Sequence, residues 1–223
     1  VFENNSASLR GGAIRVNQNS TMTIINCTFD NNSVNDGVGD SFGGAIGGYA
    51  NSTINIEDSK FTNNSARYGG AIRVDVNSSV NIKDSVFEDN FAVTYGGAIS
   101  AYNGAKLIVN NSTFVRNHAD GDGESYGGAI YANASSQIHI IDSNFTDDNA
   151  SYDGGAIYTG GGSVSVIKCN FINTSTVYGG GAICNNYGNV TVKDSKFTNT
   201  RSTFGGAICN WENKCTVTNS TFT

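Results

Sequence analysis

The sequence has no proline and little charge. Charged residues make up 14% of its 223 residues, and the formal net charge is -6. A sparsely charged, weakly acidic chain disfavours a nucleic-acid or anionic-membrane partner. No run approaches the roughly 18 apolar residues of a membrane span, so no membrane insertion of this segment is expected. Five cysteines are an odd number, which excludes a complete disulfide framework within this chain.

The apolar residues of the sequence also lack the 3.6-residue period of an amphipathic helix, and they follow a longer repeat instead. The tetrapeptide Gly-Gly-Ala-Ile, called GGAI below, begins at residues 11, 43, 69, 96, 127, 154, 180 and 205. A phenylalanine series stands at residues 2, 29, 61, 87, 114, 145, 171, 197 and 222. Self-similarity at this period predicts a stacked-repeat architecture. The chain begins and ends inside a repeat, so we expect an excerpt of a longer protein whose other domains are among its partners.

Each repeat contains short runs in which apolar and polar residues alternate, as at Ile72 and Val74 or at Val80 and Ile82. Period-two alternation predicts strands, and the Gly, Asn, Asp and Ser between the runs predict turns. The sequence therefore predicts one domain, residues 1–223. Its fold class is all-β: a single-stranded right-handed parallel β-helix (solenoid) of about eight coils of 25–32 residues, with three short strands in each. The glycine pair is then a tight corner, where a positive φ or a close backbone approach excludes side chains.

Four columns of apolar residues are expected to stack along the inside of this β-helix. The GGAI isoleucines form the first column, and the phenylalanine series forms the fourth. The second column consists of Met22, Ile54, Val80, Leu107, Ile138, Val164, Val190 and Cys215. The third column consists of Ile24, Ile56, Ile82, Val109, Ile140, Val166, Val192 and Val217. These columns are the predicted core.

The GGAI motif alternates with a second motif, Phe-x-x-Asn. That motif begins at Phe2, Phe29, Phe61, Phe87 and Phe114, and its last position changes to Asp148, Thr174 and Thr200 in later coils. A polar ladder at this turn is expected to continue there in altered form. The paired motifs resemble those of chlamydial polymorphic membrane proteins and of adhesin-like surface proteins of methanogenic archaea. The resemblance implies an extracellular, cell-surface, adhesin-type β-helical stalk that attaches to a glycan or protein on a host or neighbouring cell.

Two long loops interrupt the repeat and are the predicted binding loops. The first contains Asp36 and Asp40, and the second contains Asp120, Asp122 and Glu124. Loops on a rigid scaffold commonly carry function, which favours both as a partner-binding patch. The three acidic residues of the second loop alternate among glycines, and Ca²⁺ prefers carboxylate oxygens on a flexible loop. They are the predicted calcium site, with a simple Gly/Asp turn as the alternative, and no other cofactor is expected.

Parallel β-helices also include polysaccharide-degrading enzymes of the pectin-lyase type, which is the alternative function. Such chemistry needs paired carboxylates, or bound Ca²⁺ with a basic residue. Asp147 and Asp148 are adjacent in the sequence, but neighbouring strand residues point to opposite sides. No catalytic residue is therefore predicted, and the chain is not expected to be an enzyme. A purely mechanical spacer is the third function considered.

Stacking of the coils groups two further sets of residues. Cys184 and Cys209 occupy equivalent positions in adjacent coils, where a disulfide and a pair of reduced thiols are the alternatives. An aromatic column before the glycines is interpreted as a stabilising ladder, with a sugar-stacking strip as the alternative. Its members are Phe42, Tyr68, Tyr95, Tyr126, Tyr178 and Phe204.

Dense Asn-x-Ser/Thr acceptors predict a glycoprotein if the chain is secreted. They are Asn4, Asn19, Asn26, Asn31, Asn51, Asn63, Asn77, Asn110, Asn111, Asn133, Asn144, Asn149, Asn173, Asn189 and Asn219.

Overall fold

The computed structural model describes residues 1–35, 39, 41–121 and 123–223. This part of the chain is an all-β, right-handed parallel β-helix of about eight coils, which confirms the predicted fold class. Its strand pairs are parallel, and each strand pairs with its counterparts in the neighbouring coils. Within the described ranges, no helix is long and apolar enough to cross a membrane.

Most coils contain four strands in the described part of the chain, one more than the sequence predicts. Along the chain, the strands of a coil belong in turn to four different sheets. The prediction of three strands was wrong because most strands of the fourth sheet are two residues long. Such short strands cannot show the alternation of apolar residues that marks the others.

In the order in which the chain passes through them, we call the four sheets the GGAI sheet, the long-strand sheet, the Phe sheet and the short-strand sheet. The GGAI sheet consists of Ile14–Val16, Ile46–Gly48, Ile72–Val74, Ile99–Ala101, Ile130–Asn133, Ile157–Gly160, Ile183–Asn186 and Ile208–Asn210. The long-strand sheet consists of Thr21–Ile25, Thr53–Glu57, Ser79–Lys83, Lys106–Asn110, Gln137–Ile141, Ser163–Ile167, Asn189–Lys193 and Cys215–Thr218. The Phe sheet consists of Phe2–Glu3, Thr28–Asp30, Lys60–Thr62, Val86–Glu88, Thr113–Val115, Asn144–Thr146, Asn170–Ile172, Lys196–Thr198 and Thr221–Phe222. The short-strand sheet consists of Ser6–Ala7, Ser33–Val34, Ser65–Tyr68, Phe91–Tyr95, His118–Ala119, Asn149–Ala150 and Ser175–Thr176.

The predicted columns are in register and form the core, except in the last coil, where Cys215 and Val217 are exposed because no further coil covers them in this chain. Each GGAI isoleucine pairs with that of the next coil, from Ile14 to Ile208. The second and third columns pair in the same way. Phenylalanine rings stack from Phe2 to Phe222, and the centroids of Phe87 and Phe114 are 4.9 Å apart with an interplanar angle of 6°. Burying one such side chain contributes roughly 2 kcal/mol, so the stack stabilises every coil in turn.

The glycine pair forms the corner that leads into the GGAI sheet, and its two members are required for different reasons. The first glycine of one pair, Gly96, has a φ of 65°, which side chains disfavour. A Cβ on the second, Gly97, would lie 2.1 Å from the carbonyl oxygen of Gly128 and 2.6 Å from the backbone nitrogen of His118. Both predicted reasons, positive φ and close backbone approach, are therefore confirmed.

A ladder of buried asparagine side chains follows the Phe strands. Asn90 is typical, because its Nδ2 donates to the Phe61 carbonyl oxygen at 3.0 Å and to Oδ1 of Asn117 at 2.9 Å. Its own Oδ1 accepts hydrogen bonds from the backbone N–H and Nδ2 of Asn64, at 3.1 and 3.0 Å. Each amide thus joins adjacent coils and leaves no buried donor unpaired.

The asparagine ladder ends at Asp148. Its Oδ1 accepts from the backbone N–H and Nδ2 of Asn117, at 2.8 and 2.9 Å. Its Oδ2, and the hydroxyl of Thr174 one coil later, are buried without a partner among the described residues. The expected continuation of the ladder is wrong beyond Asp148, because a carboxyl group has no amide N–H with which to donate to both the Phe carbonyl and the next coil. Burial raises the pKa of Asp148 to about 8.

Candidate functional site

All ten tyrosines of the sequence lie on one outer surface, which we call the aromatic face. It covers the outside of the GGAI sheet and the positions flanking it. Successive strand residues point to opposite sides, so the residue between two core positions, such as Arg15, points outward. The outward column in register with Arg15 contains Gly47, Arg73, Ser100, Tyr131, Tyr158, Cys184 and Cys209.

The predicted aromatic column is present on this face, with one correction. Backbone bridges join Phe42, Tyr68, Tyr95 and Tyr126 in successive coils. The next positions of the column are Asp153 and Gly179, and Phe204 follows them. Tyr178 was wrongly assigned to this column, because an additional glycine precedes the GGAI motif in its coil. Its ring stacks on that of Tyr152 instead, with centroids 4.9 Å apart.

The N-terminal half of the aromatic face is cationic, and we call it the arginine half. The guanidinium of Arg10 lies 4.2 Å from the Phe42 ring centroid, and that of Arg73 lies 4.9 Å from the Tyr102 ring centroid. Asp75 forms ion pairs with both arginines. Burial lowers the pKa of Arg73, and Asp75 opposes this shift. Here the chain's own cations cover the faces of its aromatic rings.

The C-terminal half of the face contains a cleft of about 440 Å³, which we call the acidic cleft. Its aromatic lining consists of Tyr126, Tyr152, Tyr158, Tyr178, Tyr187 and Trp211. Its acidic lining consists of Glu124, Asp153 and Glu212, and Asn186 is also present. The volume and the mixture of rings with a few polar groups are typical of small-molecule sites.

Asp153 is the most buried carboxylate of the acidic cleft, with 5% of its surface exposed. Its Oδ1 is buried and makes no hydrogen bond of good geometry among the described residues, although the backbone N–H of Gly179 is close enough to oppose the rise of the Asp153 pKa. Burial raises the pKa of Asp153 to about 6, and the Glu124 carboxylate adds to the shift. Glu124 is itself engaged, because its Oε2 accepts a hydrogen bond of 2.5 Å from the hydroxyl of Tyr126. An unpaired buried oxygen therefore borders a cleft that a ligand can enter.

The predicted binding loops are only partly visible. Asp36, Asp40 and Asp122 lie outside the described residues. Asp120 is exposed, and Glu124 is exposed at the edge of the acidic cleft. Among the described residues, no three His, Cys, Asp or Glu side chains are grouped closely enough to hold a metal ion. Because Asp122 belongs to the proposed ligand set, calcium binding at this loop stays a prediction.

Cys184 and Cys209 are neighbours in adjacent strands, as the sequence predicts. Both sulfurs are free thiols, and both side chains are buried in a cluster with Tyr131 and Tyr158 beside the acidic cleft. Burial raises the pKa of both thiols. A disulfide between them stays a prediction.

Asp153, Tyr158 and Trp211 were not predicted from the sequence to be members of one site. Asp153 and Tyr158 come from one coil, and Trp211 comes from a coil near the end of the chain. One signal was available, because Asp153 precedes a glycine pair at a position where other coils have an aromatic residue. A charged residue that interrupts an aromatic column indicates a local change of role.

Comparisons with known proteins agree with this fold. A family model described as "Right handed beta helix region" matches residues 1–145. A protein of Escherichia coli (strain K12), "Probable autotransporter YfaL", is 34% identical over 152 residues, which cover 66% of this chain. The matched region is 11% of that relative's length. No solved structure matches the chain significantly. The resemblance to chlamydial and methanogen proteins stays a prediction, whereas the family match shows that this chain belongs to the right-handed β-helix family.

Proposed function

We propose that this β-helix is an adhesin-type module on the outside of a cell, which binds a glycan of a host or neighbouring cell along its aromatic face. The observation that carries the proposal is the placement of all ten tyrosines and the tryptophan on one surface of a rigid ladder. Aromatic rings with polar edges suit surfaces that contact a partly polar ligand. The similarity to a protein named a probable autotransporter supports an extracellular, cell-surface location.

The second predicted binding loop and the aromatic face belong to one surface in this proposal. Glu124 ends that loop and lines the acidic cleft, where Tyr126 donates a hydrogen bond to it. The loop therefore borders the rings rather than forming a separate patch. Glycosylation of the Asn-x-Ser/Thr acceptors remains part of the proposal for a secreted protein.

Replacement of Trp211 or Tyr187 by alanine is expected to weaken glycan binding about tenfold, because exposed aromatic side chains often carry binding energy. The two residues are 41% and 60% exposed in the acidic cleft. The measurement is a glycan array followed by titration of the best ligand. The control is Phe91→Ala, since Phe91 is 37% exposed but lies in the short-strand sheet. Equal loss in all three variants would contradict binding by the aromatic face.

The enzyme alternative has one specific observation in its favour. Asp153 and Glu124 line the same cleft, and the pKa of Asp153, which burial raises to about 6, suits a general acid. We propose binding without catalysis because the Tyr126 hydroxyl already donates a hydrogen bond to the Glu124 carboxylate, which would otherwise be the second carboxylate of a catalytic pair. An assay for reducing or unsaturated ends released from polysaccharides tests this alternative. If the chain releases such ends and Asp153→Asn abolishes their release, the chain is a pectin-lyase-like enzyme instead. If both long loops and the aromatic side chains can be removed without loss of adhesion, the module is a mechanical spacer.

A further inference from the structure

The two halves of the aromatic face differ in the source of positive charge. In the arginine half, the guanidiniums of Arg10 and Arg15 each lie 4.4 Å from the Tyr49 ring centroid. The acidic cleft also presents aromatic rings, but no lysine or arginine is among the described residues that line it. The chain thus supplies cations to its rings in one half and only carboxylates in the other.

The rings of the acidic cleft are arranged at an angle to one another. Tyr126 and Tyr158 have centroids 4.7 Å apart at 54°, and Tyr126 and Tyr152 have centroids 5.5 Å apart at 62°. Tyr178 and Trp211 continue the lining, with centroids 5.8 Å apart. The parts of these ring faces that line the cleft attract a cation, because the face of an aromatic ring carries partial negative charge.

Asp153 restricts the kind of cation that fits the acidic cleft more narrowly than the rings alone do. More than nine-tenths of its surface is buried, and its Oδ1 makes no hydrogen bond of good geometry among the described residues, where the backbone N–H of Gly179 is a neighbouring donor. A cation that carries N–H groups satisfies that oxygen and is attracted by Glu124 and Glu212 at the same time. A quaternary ammonium has no N–H and leaves Oδ1 unpaired.

We propose that the acidic cleft binds the protonated primary amine of an amino-sugar unit, with Asp153 as the acceptor and the tyrosines and Trp211 as the surrounding rings. This inference rests on the proposed glycan-binding function and specifies the ligand class for one part of the face. The cleft volume of about 440 Å³ lies within the range of sites for small ligands. The arginine half, with its own cations, has no such preference for a positively charged ligand.

The test compares glucosamine oligosaccharides with their N-acetylated counterparts, in which the amine is neutral. Calorimetric titration of the whole chain at pH 7 is expected to show at least tenfold tighter binding of the amine-bearing series. Asp153→Asn should reduce this preference at least tenfold, so that the two series bind with similar affinity. The matched control is Asp58→Asn, because Asp58 is an exposed carboxylate outside the cleft. Circular dichroism confirms that each variant retains the fold.

The possible failures are distinguishable. Equal binding of both series, unchanged in Asp153→Asn, overturns the ammonium site and leaves glycan binding in place. Binding of choline as tight as that of the amine-bearing series, equally lost in Asp153→Asn, overturns the amino-sugar assignment and indicates a quaternary ammonium ligand. If neither series binds, the inference is wrong, and the glycan array with Trp211→Ala decides separately whether the proposed function also fails.

Discussion

The Asp148→Asn variant is expected to unfold at a higher temperature than the parent protein at pH 7–8. In the ladder, Asn117 donates through Nδ2 to the Phe87 carbonyl oxygen at 3.0 Å, and an asparagine at position 148 can donate in the same way one coil later. It thereby pairs the side-chain atom that is unsatisfied in the parent. The gain in the free energy of unfolding at pH 7 is on the order of 4 kcal/mol, since each pKa unit corresponds to about 1.4 kcal/mol.

The pH dependence follows from the sign of this shift. Folding raises the pKa of Asp148 from 3.8 to about 8, so the folded state keeps a proton that the unfolded state releases. The contribution of Asp148 to stability is therefore greatest below pH 3.8 and is lost progressively as the pH rises to about 8. Thermal unfolding from pH 3.5 to 8.5 should show this slope in the parent and lose it in the variant. The control is Asp147→Asn, at an exposed carboxylate next to Asp148. Parallel curves for the parent and Asp148→Asn would show that the buried carboxyl does not control stability.

The Gly97→Ala variant is expected to lose more than about 3 kcal/mol of unfolding free energy, at the upper end of overpacking effects. The added Cβ meets backbone atoms, the Gly128 oxygen and the His118 nitrogen, and backbone cannot rotate away as a side chain can. Two coils must separate, or the corner must unwind. Urea unfolding followed by circular dichroism measures the loss.

The chain supplies a matched control for this substitution. Among the described residues, no heavy atom beyond its chain neighbours lies within 4 Å of a Cβ added at Gly123, so Gly123→Ala should leave the urea midpoint nearly unchanged. A similar small effect at both positions would refute the view that the second glycine of each pair is required by close backbone approach.

The core was predictable because the coils bury the same positions, apart from the last coil, where Val217 and Phe222 are exposed. Ile72, Val80 and Phe87 recur with the same spacing along the chain, and stacking in register requires that spacing. The short-strand sheet was not predictable, since a strand such as Ser6–Ala7 exists only through pairing with the next coil. Its sequence, read alone, is that of a turn.

The candidate site was less predictable than the fold. Glu124, Asp153 and Trp211 come from different coils, and the depth of the cleft depends on how outward side chains of those coils pack. The aromatic column itself was visible in the sequence, but the burial of Asp153 was not. Whether an outward residue becomes buried depends on the size of its neighbours above and below, which repeat spacing does not encode.

Differences in coil length are concentrated at the corner before the aromatic face. In the sequence, the long segments 35–41 and 120–125 both stand between a strand of the short-strand sheet and the aromatic residue before a glycine pair. In shorter coils, the strands Ser65–Tyr68 and Phe91–Tyr95 run directly to that aromatic residue. Residues inserted at this corner leave the register of all four sheets unchanged. Under the proposed function, an insertion at this corner adds a new border to the tyrosines and carboxylates, so a change in segment length alone would alter the ligand that the aromatic face binds.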